Sequence, residues 1–226
     1  MTDRCQINRS VFVREMSQEQ GSGPDPNVVA VILAAGRSLR MGPKNKLVEK
    51  LGAKSVLHHV VTALQESQIS SVIVVLGHES ERIQNDLARE DVTYVMNPDY
   101  EQGIGTSISA GIRSVDKSAK GAVIMLGDMP LISAKTIDKL VHDFNRNPRA
   151  EIVVPTYEDQ PGNPVLWSNR FFPQLSSLRG DRGGKLLIKE NSDAVWFCPV
   201  ESKSVHIDVD TLHDLARVRA TDGFRS

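Results

Sequence analysis

Three unbroken aliphatic runs constrain this chain more than any other feature: Val28–Leu33 (VVAVIL), Ser71–Leu76 (SVIVVL) and Gly121–Leu126 (GAVIML). A strand with one wet face alternates apolar and polar residues. A continuous β-branched run reads instead as a strand covered on both faces. Segments with helical character lie between them, at Ser55–Leu64, Glu79–Arg89 and Gly105–Val115. A further strand is expected at Val92–Met96, and a helix at Ser133–Asn145 opening on Ser133 as its cap. Strand and helix alternating at this spacing predict βαβ crossovers: a mostly parallel sheet with helices on both faces. In such sheets ligands bind beyond the C-terminal ends of the strands. The loops at 34–46, 77–78, 97–105 and 127–131 are therefore expected to converge on one crevice.

The second half is less regular. Glu151–Pro155 reads as a strand, and Val195–Cys198 and Val205–Ile207 as short ones, with a last helix over Asp210–Arg219. Residues 156–185 carry Gly162, Pro164, Gly180, Gly183 and Gly184, and read as loop and short-strand territory. Residues 1–27 are rich in Gln, Ser, Glu and Gly, a composition expected to form a disordered tail before a single domain at 28–221.

Charge and cysteine use narrow the function classes. A net charge of −1 over 226 residues gives no global case for nucleic acid or an anionic membrane, so anion binding must be local. No apolar run is long enough to span a membrane. Val11–Val13 is too short for the core of a secretory signal. Cys5 and Cys198 form neither a disulfide framework nor a zinc spacing, so a reducing cytoplasm is the expected location.

The loop after the first strand carries the strongest chemical signal. It reads Leu33-Ala-Ala-Gly36-Arg-Ser-Leu-Arg40-Met-Gly42-Pro-Lys-Asn-Lys46. Gly36 and Gly42 permit sharp turning and close approach of a ligand, and successive backbone N–H groups in such a turn hold anions. Ala34 and Ala35 leave room beside the chain. Arg37, Arg40, Lys44 and Lys46 add cations. The spacing is neither a Walker A loop nor G-x-G-x-x-G. Asp128 follows the Gly121–Leu126 strand, where it serves either as a turn residue or as a ligand for Mg²⁺; the basic loop beside it in the sheet favours the metal. Asp208 and Asp210 would face one way on a strand, although Asp210 also sits where a helix cap would. Gly103, Gly105, Thr106 and Ser107 lead into a helix whose N-terminal N–H groups suit a polar ligand edge.

The Leu-Ala-Ala-Gly-x-Ser-x-Arg-Met-Gly segment, followed by Asn45-Lys46-Leu47, resembles the signature of the MobA-like nucleotidyltransferases, and within them the molybdenum cofactor cytidylyltransferases. The resemblance implies a Rossmann-like three-layer α/β/α fold of the nucleotide-diphospho-sugar transferase type. It implies a nucleotide site on Leu33, Ala34, Ala35, Gly36, Lys46, Gly103, Ser107 and Asp128, with Arg40, Lys46 and Asp128 catalytic and Lys44 a rival to Lys46. Asp128 and Asp210, with Asp208 second to Asp210, are implied to hold Mg²⁺. Gly-x-Pro-Val and Gly-Asp-x-Gly elements imply an acceptor site on Gly162, Pro164, Gly180, Asp181, Arg182 and Gly183, where Arg179, Arg182 and Lys185 could meet an acceptor phosphate. Ala35, in place of a glycine, resembles the cytidylyl-transferring members, so CMP transfer from CTP to molybdopterin is the expected reaction, with a molybdenum hydroxylase as a candidate recipient of the product. Rival readings are a sugar- or polyol-phosphate acceptor, a nicotinamide-dependent reductase, and a non-catalytic maturation partner.

Overall fold

A computed structural model describes residues 27–38 and 45–221. Its centre is β1 (Val28–Leu33), flanked in parallel by β4 (Val72–Leu76) and β6 (Gly121–Leu126). These are the three aliphatic runs, and every one of them is buried along its length but for the partly exposed Leu33 and Leu126 at the strand tips. The side chains divide by parity, as strand geometry requires. Ala30, Ile32, Val74, Leu76 and Met125 pack on one face with α1 (Val56–Gln65) and α2 (Ser80–Asp86). Val29, Val31, Ile73, Val75, Ala122 and Ile124 pack on the other with α3 (Ile104–Arg113). The unbroken apolar runs thus have a direct cause: both faces are covered.

The sheet continues to β5 (Thr93–Met96) at one edge. On the other side come β9 (Val165–Ser168), β7 (Ile152–Tyr157) and β10 (Val195–Pro199), giving the order β10-β7-β9-β6-β1-β4-β5. Only β9, antiparallel to both β6 and β7, and β8 (Gln160–Pro161), antiparallel to β7, break the parallel run within this sheet. The architecture is the expected three-layer α/β/α with a mostly parallel sheet. A small hairpin of β2 (Lys50–Leu51) and β3 (Lys54–Ser55) lies beside it.

Caps follow the sequence where short polar side chains were available. Ser133 accepts from the Thr136 N–H at the start of α4 (Ala134–Arg146), and Ser55 does the same for α1 through the His58 N–H. Two local expectations are corrected. Val205–Ile207 is not a strand, because Lys203–His206 winds into a 3-10 turn capped by Ser202. The last helix, α7 (Leu212–Arg219), is capped by Thr211 and Asp214 in a reciprocal capping box. Asp210 is therefore released from the capping role. The 156–185 stretch holds β9, α5 (Phe172–Ser176) and the start of α6 (Lys185–Glu190), more regular than expected. The expected tail lies outside the described residues, save Asn27.

Candidate active site

The site is assembled at the C-terminal ends of β1 and β6. The Gly127 N–H donates to the Leu33 carbonyl (3.1 Å), which ties the two strand tips together and delivers Asp128 to the sheet edge. The Val209 N–H donates to the Asp128 carbonyl (2.9 Å) while its side chain is fully buried. That anchoring brings the flanking Asp208 and Asp210 to Asp128. One oxygen from each of the three carboxyls lies within 4.8 Å of the others.

Lys46 completes the cluster from the opposite side. It begins a 3-10 turn, Lys46–Val48, whose cap Asn45 is buried and accepts the Leu47 N–H at 3.1 Å. Lys46 Nζ sits 2.5 Å from Asp128 Oδ2 and 2.6 Å from Asp210 Oδ1. Burial by itself pulls the ammonium pKa down, but Asp128 and Asp210 outweigh it and hold Lys46 above the ordinary lysine value. Burial raises the Asp208 pKa above the usual carboxylate value, and the charges of Asp128 and Asp210 push it the same way. Among the described residues, three carboxyls thus gather around the Lys46 ammonium. Asp128 Oδ1 is buried with no hydrogen-bond partner among the described residues. An unmatched buried carboxylate oxygen is costly, and a hard divalent cation is the ligand such an oxygen set takes. The residues present fit a metal.

Two cavities meet at this cluster, sharing Leu33, Ile104 and Leu126 as their common wall. The smaller, about 230 Å³, is bordered by Ala35, Gly36, Lys46, Tyr100, Ser107 and Asp128. The larger, about 640 Å³, has an aliphatic and aromatic wall, including Ile108, Val165 and Trp167, with Asp181, Arg182, Lys185 and Asp208 as charged groups. Behind Ser107, which lines the smaller one, the buried Asn97 donates through Nδ2 to Ser107 Oγ (3.0 Å) and Thr106 Oγ1 (2.9 Å). Gly103, also in that cavity wall, has φ +109°, and a side chain there would collide with Gly180 and Asp181.

The residues named from sequence separate into three groups. Leu33, Ala35, Gly36, Lys46, Gly103, Ser107 and Asp128 line the smaller cavity, while Asp181, Arg182, Gly183 and Asp208 line the larger. Ala34, Gly162, Pro164 and Gly180 line neither. Ala34 packs in the core, a Cβ on Gly162 would run into Val205, and the Gly180 carbonyl accepts the Gly105 N–H. Arg179 is likewise taken up, donating to Ser109 Oγ and the Leu178 carbonyl. Arg37 pairs with Glu101 at 3.2 Å. Arg40, Gly42 and Lys44 lie outside the described residues. Within the described part of that loop the left-handed residue is Ser38 (φ 50°) rather than Gly36, at which a Cβ would meet open space. Tyr100, Ile104 and Trp167 escaped the sequence reading. Tyr100 had a signal, since it falls inside the 97–105 loop expected at the crevice; Trp167 sits on β9, within the 156–185 stretch read only as loop and short strands.

Comparison with known proteins agrees with this fold. A family model described as the MobA-like NTP transferase domain matches residues 30–195. The bifunctional protein GlmU of Stutzerimonas stutzeri is 32% identical over 165 residues, which cover 73% of this chain and 33% of that protein. The chain thus spans about a quarter to a third of the length of the curated relatives it matches. Among solved structures, the homologue of Mycobacterium tuberculosis Rv0371c from Mycobacterium sp. strain JC1 is 30% identical with a TM-score of 0.77, covering 86% of this chain and 96% of that one. Rv0371c of M. tuberculosis H37Rv, solved in complex with manganese, is 26% identical with a TM-score of 0.75, covering 86% of this chain and 98% of that one.

Proposed function

The chain belongs to the MobA-like NTP transferases, and we propose that it transfers CMP from CTP to the phosphate of a molybdopterin-type acceptor, releasing pyrophosphate. The observation that carries this reading is the junction itself: the carboxylate cluster sits where a glycine-loop cavity meets a larger one with two basic side chains in its wall. The smaller cavity takes the nucleotide, and Ala35 beside it is the residue on which the choice of CTP rests. The larger takes the acceptor. Its apolar wall suits a flat ring system better than a fully hydroxylated polyol, and Arg182 and Lys185 suit the acceptor phosphate.

The chemistry asks little of a general base, because the acceptor phosphate is anionic near neutral pH. One of its oxygens forms a bond to the α-phosphorus; the bond to the bridging oxygen breaks, and pyrophosphate leaves with that electron pair. Catalysis is then positioning and charge neutralisation. Asp128, Asp210 and Asp208 would hold Mg²⁺, which when bound supplies positive charge against the phosphate oxygens. Lys46 would offset charge on the departing pyrophosphate. Asn97 would fix Ser107, which lines the smaller cavity, toward the nucleotide.

Pyrophosphate release with Mg²⁺, each of the four common NTPs in turn, and molybdopterin, a sugar phosphate or a polyol phosphate as acceptor tests the reading. Release with CTP and molybdopterin that Asp128→Ala abolishes supports it. Release only with a sugar or polyol phosphate moves the assignment to that acceptor class. Silence under every combination overturns it.

A further inference from the structure

Lys46 faces two demands that one ammonium cannot meet at once. It lies within 2.6 Å of oxygens on both Asp128 and Asp210, the carboxylates whose oxygens cluster with Asp208 as a metal-ligand set. The nucleotidyl-transfer reading also assigns it to the nucleotide's phosphates. A divalent cation on these carboxylates brings a second positive charge close to Nζ and competes with it for the same two anions. The backbone around Lys46 is pinned, with Asn45 1% exposed and Leu47 4% exposed. The four-carbon stem of lysine is flexible, and the ammonium borders the nucleotide cavity. It therefore has somewhere to go without the turn moving.

Resting on that reading, we propose that Lys46 competes with the divalent cation for Asp128 and Asp210, and that nucleotide phosphates end the competition by accepting the displaced ammonium. Lys46 then acts as a resident cation that neutralises the acids until the nucleotide arrives. Metal binds weakly to the free protein and tightly with the nucleotide. The coupling is reciprocal, so metal also tightens the nucleotide.

The test is Mn²⁺ binding to the intact chain, followed by the paramagnetic resonance of free Mn²⁺. It compares wild type, Lys46→Met, Lys46→Gln and Asp128→Ala, first without and then with saturating CTP. Two neutral replacements are used so that a folding defect in one leaves the other informative, and melting curves accompany both. Without nucleotide, loss of the contacting positive charge is expected to tighten Mn²⁺ by at least about tenfold in both variants. CTP is expected to tighten Mn²⁺ in wild type more than in Lys46→Gln, a difference in which chelation by CTP itself cancels. Equal affinity of wild type and both neutral variants, with Asp128→Ala still weakening Mn²⁺, overturns the competition and leaves metal-dependent transfer standing. Tightening by both variants with no difference in the CTP effect overturns the coupling. No Mn²⁺ binding to any of the four proteins overturns the metal reading and the proposal with it.

Discussion

Replacing Asp128 by alanine should separate catalysis from stability, and the geometry says by how much. Asp128 Oδ2 lies 2.5 Å from Lys46 Nζ; at the effective dielectric of about 20 that suits such sites, the gross attraction is about 7 kcal/mol. Against it stand Asp210 and Asp208, each with an oxygen within 4.8 Å, and each when ionised repelling Asp128 by about 3.5 kcal/mol or more on the same scale. The gross electrostatic gain and cost are nearly equal. Truncation also removes the unpartnered Asp128 Oδ1, and Lys46 keeps Asp210 at 2.6 Å. The net effect on folding should therefore stay within about 2 kcal/mol, a shift of no more than about 8 °C in Tm for a chain of this size. The rate has no such compensation. Losing a principal charge-positioning group at a reacting phosphate should lower kcat about 100- to 1,000-fold, by analogy with removing one oxyanion donor. Scanning fluorimetry and pyrophosphate release on the same preparation read both. Turnover within a few-fold of wild type would refute the role given to Asp128. A Tm drop well beyond about 10 °C would refute the cancellation.

Other perturbations test separate parts of the structure. Gly111→Ala should gain about 1 kcal/mol in helix propensity, but its Cβ would strike Val31 and lie 2.9 Å from Val75 Cγ2, an overpacking cost of about 1–3 kcal/mol. We expect a lower urea midpoint, and an unchanged or raised midpoint would mean that α3 is free to move off the sheet. Arg182→Ala should raise KM for the acceptor about tenfold while leaving KM for the nucleotide unchanged; equal rises in both would remove Arg182 from the acceptor side. Burial, reinforced by Asp143, pushes the Cys198 thiol up to about 12. Peptide mass spectrometry after iodoacetamide at pH 8 should find Cys198 unmodified in the native protein and modified after denaturation. Because the folded value lies above the unfolded one, stability should fall as pH rises from about 9 toward 12. A native thiol alkylated at the unfolded rate would contradict its burial.

The fold was legible where burial is two-sided and illegible where it is not announced by pattern. β1, β4 and β6 are aliphatic throughout because helices cover both faces, and that leaves a signature in composition alone. β9 is four residues long, follows Gly162 and Pro164, and runs antiparallel between β6 and β7. Local pattern allows short strands in this stretch but does not place this one, since its place is fixed by partners more than forty residues away in the case of β6. The same division holds in the site. Asp128 could be found because it stands at the tip of a recognisable strand. Its contact with Lys46 joins residues 82 positions apart, and that of Asp210 with Lys46 spans 164, so only the closed fold reveals them. Asp210 was ambiguous in sequence between cap and ligand, and the Thr211–Asp214 box is what resolves its freedom from capping.

The hydrogen bond from the Gly105 N–H to the Gly180 carbonyl, at 2.8 Å, has a practical corollary for anyone recombining this scaffold. It fastens the first turn of α3, on the side given to the nucleotide, to the loop that borders the larger cavity. The seam is so tight that a Cβ on Gly105 would sit 2.7 Å from the Arg182 carbonyl and 2.8 Å from the Gly180 carbonyl. Donor and acceptor preferences are therefore not independently exchangeable cassettes. A chimera that imports residues 179–184 from a relative without residues 103–105 inherits two halves of a mismatched joint, and the smallest transplantable unit of substrate choice is the pair.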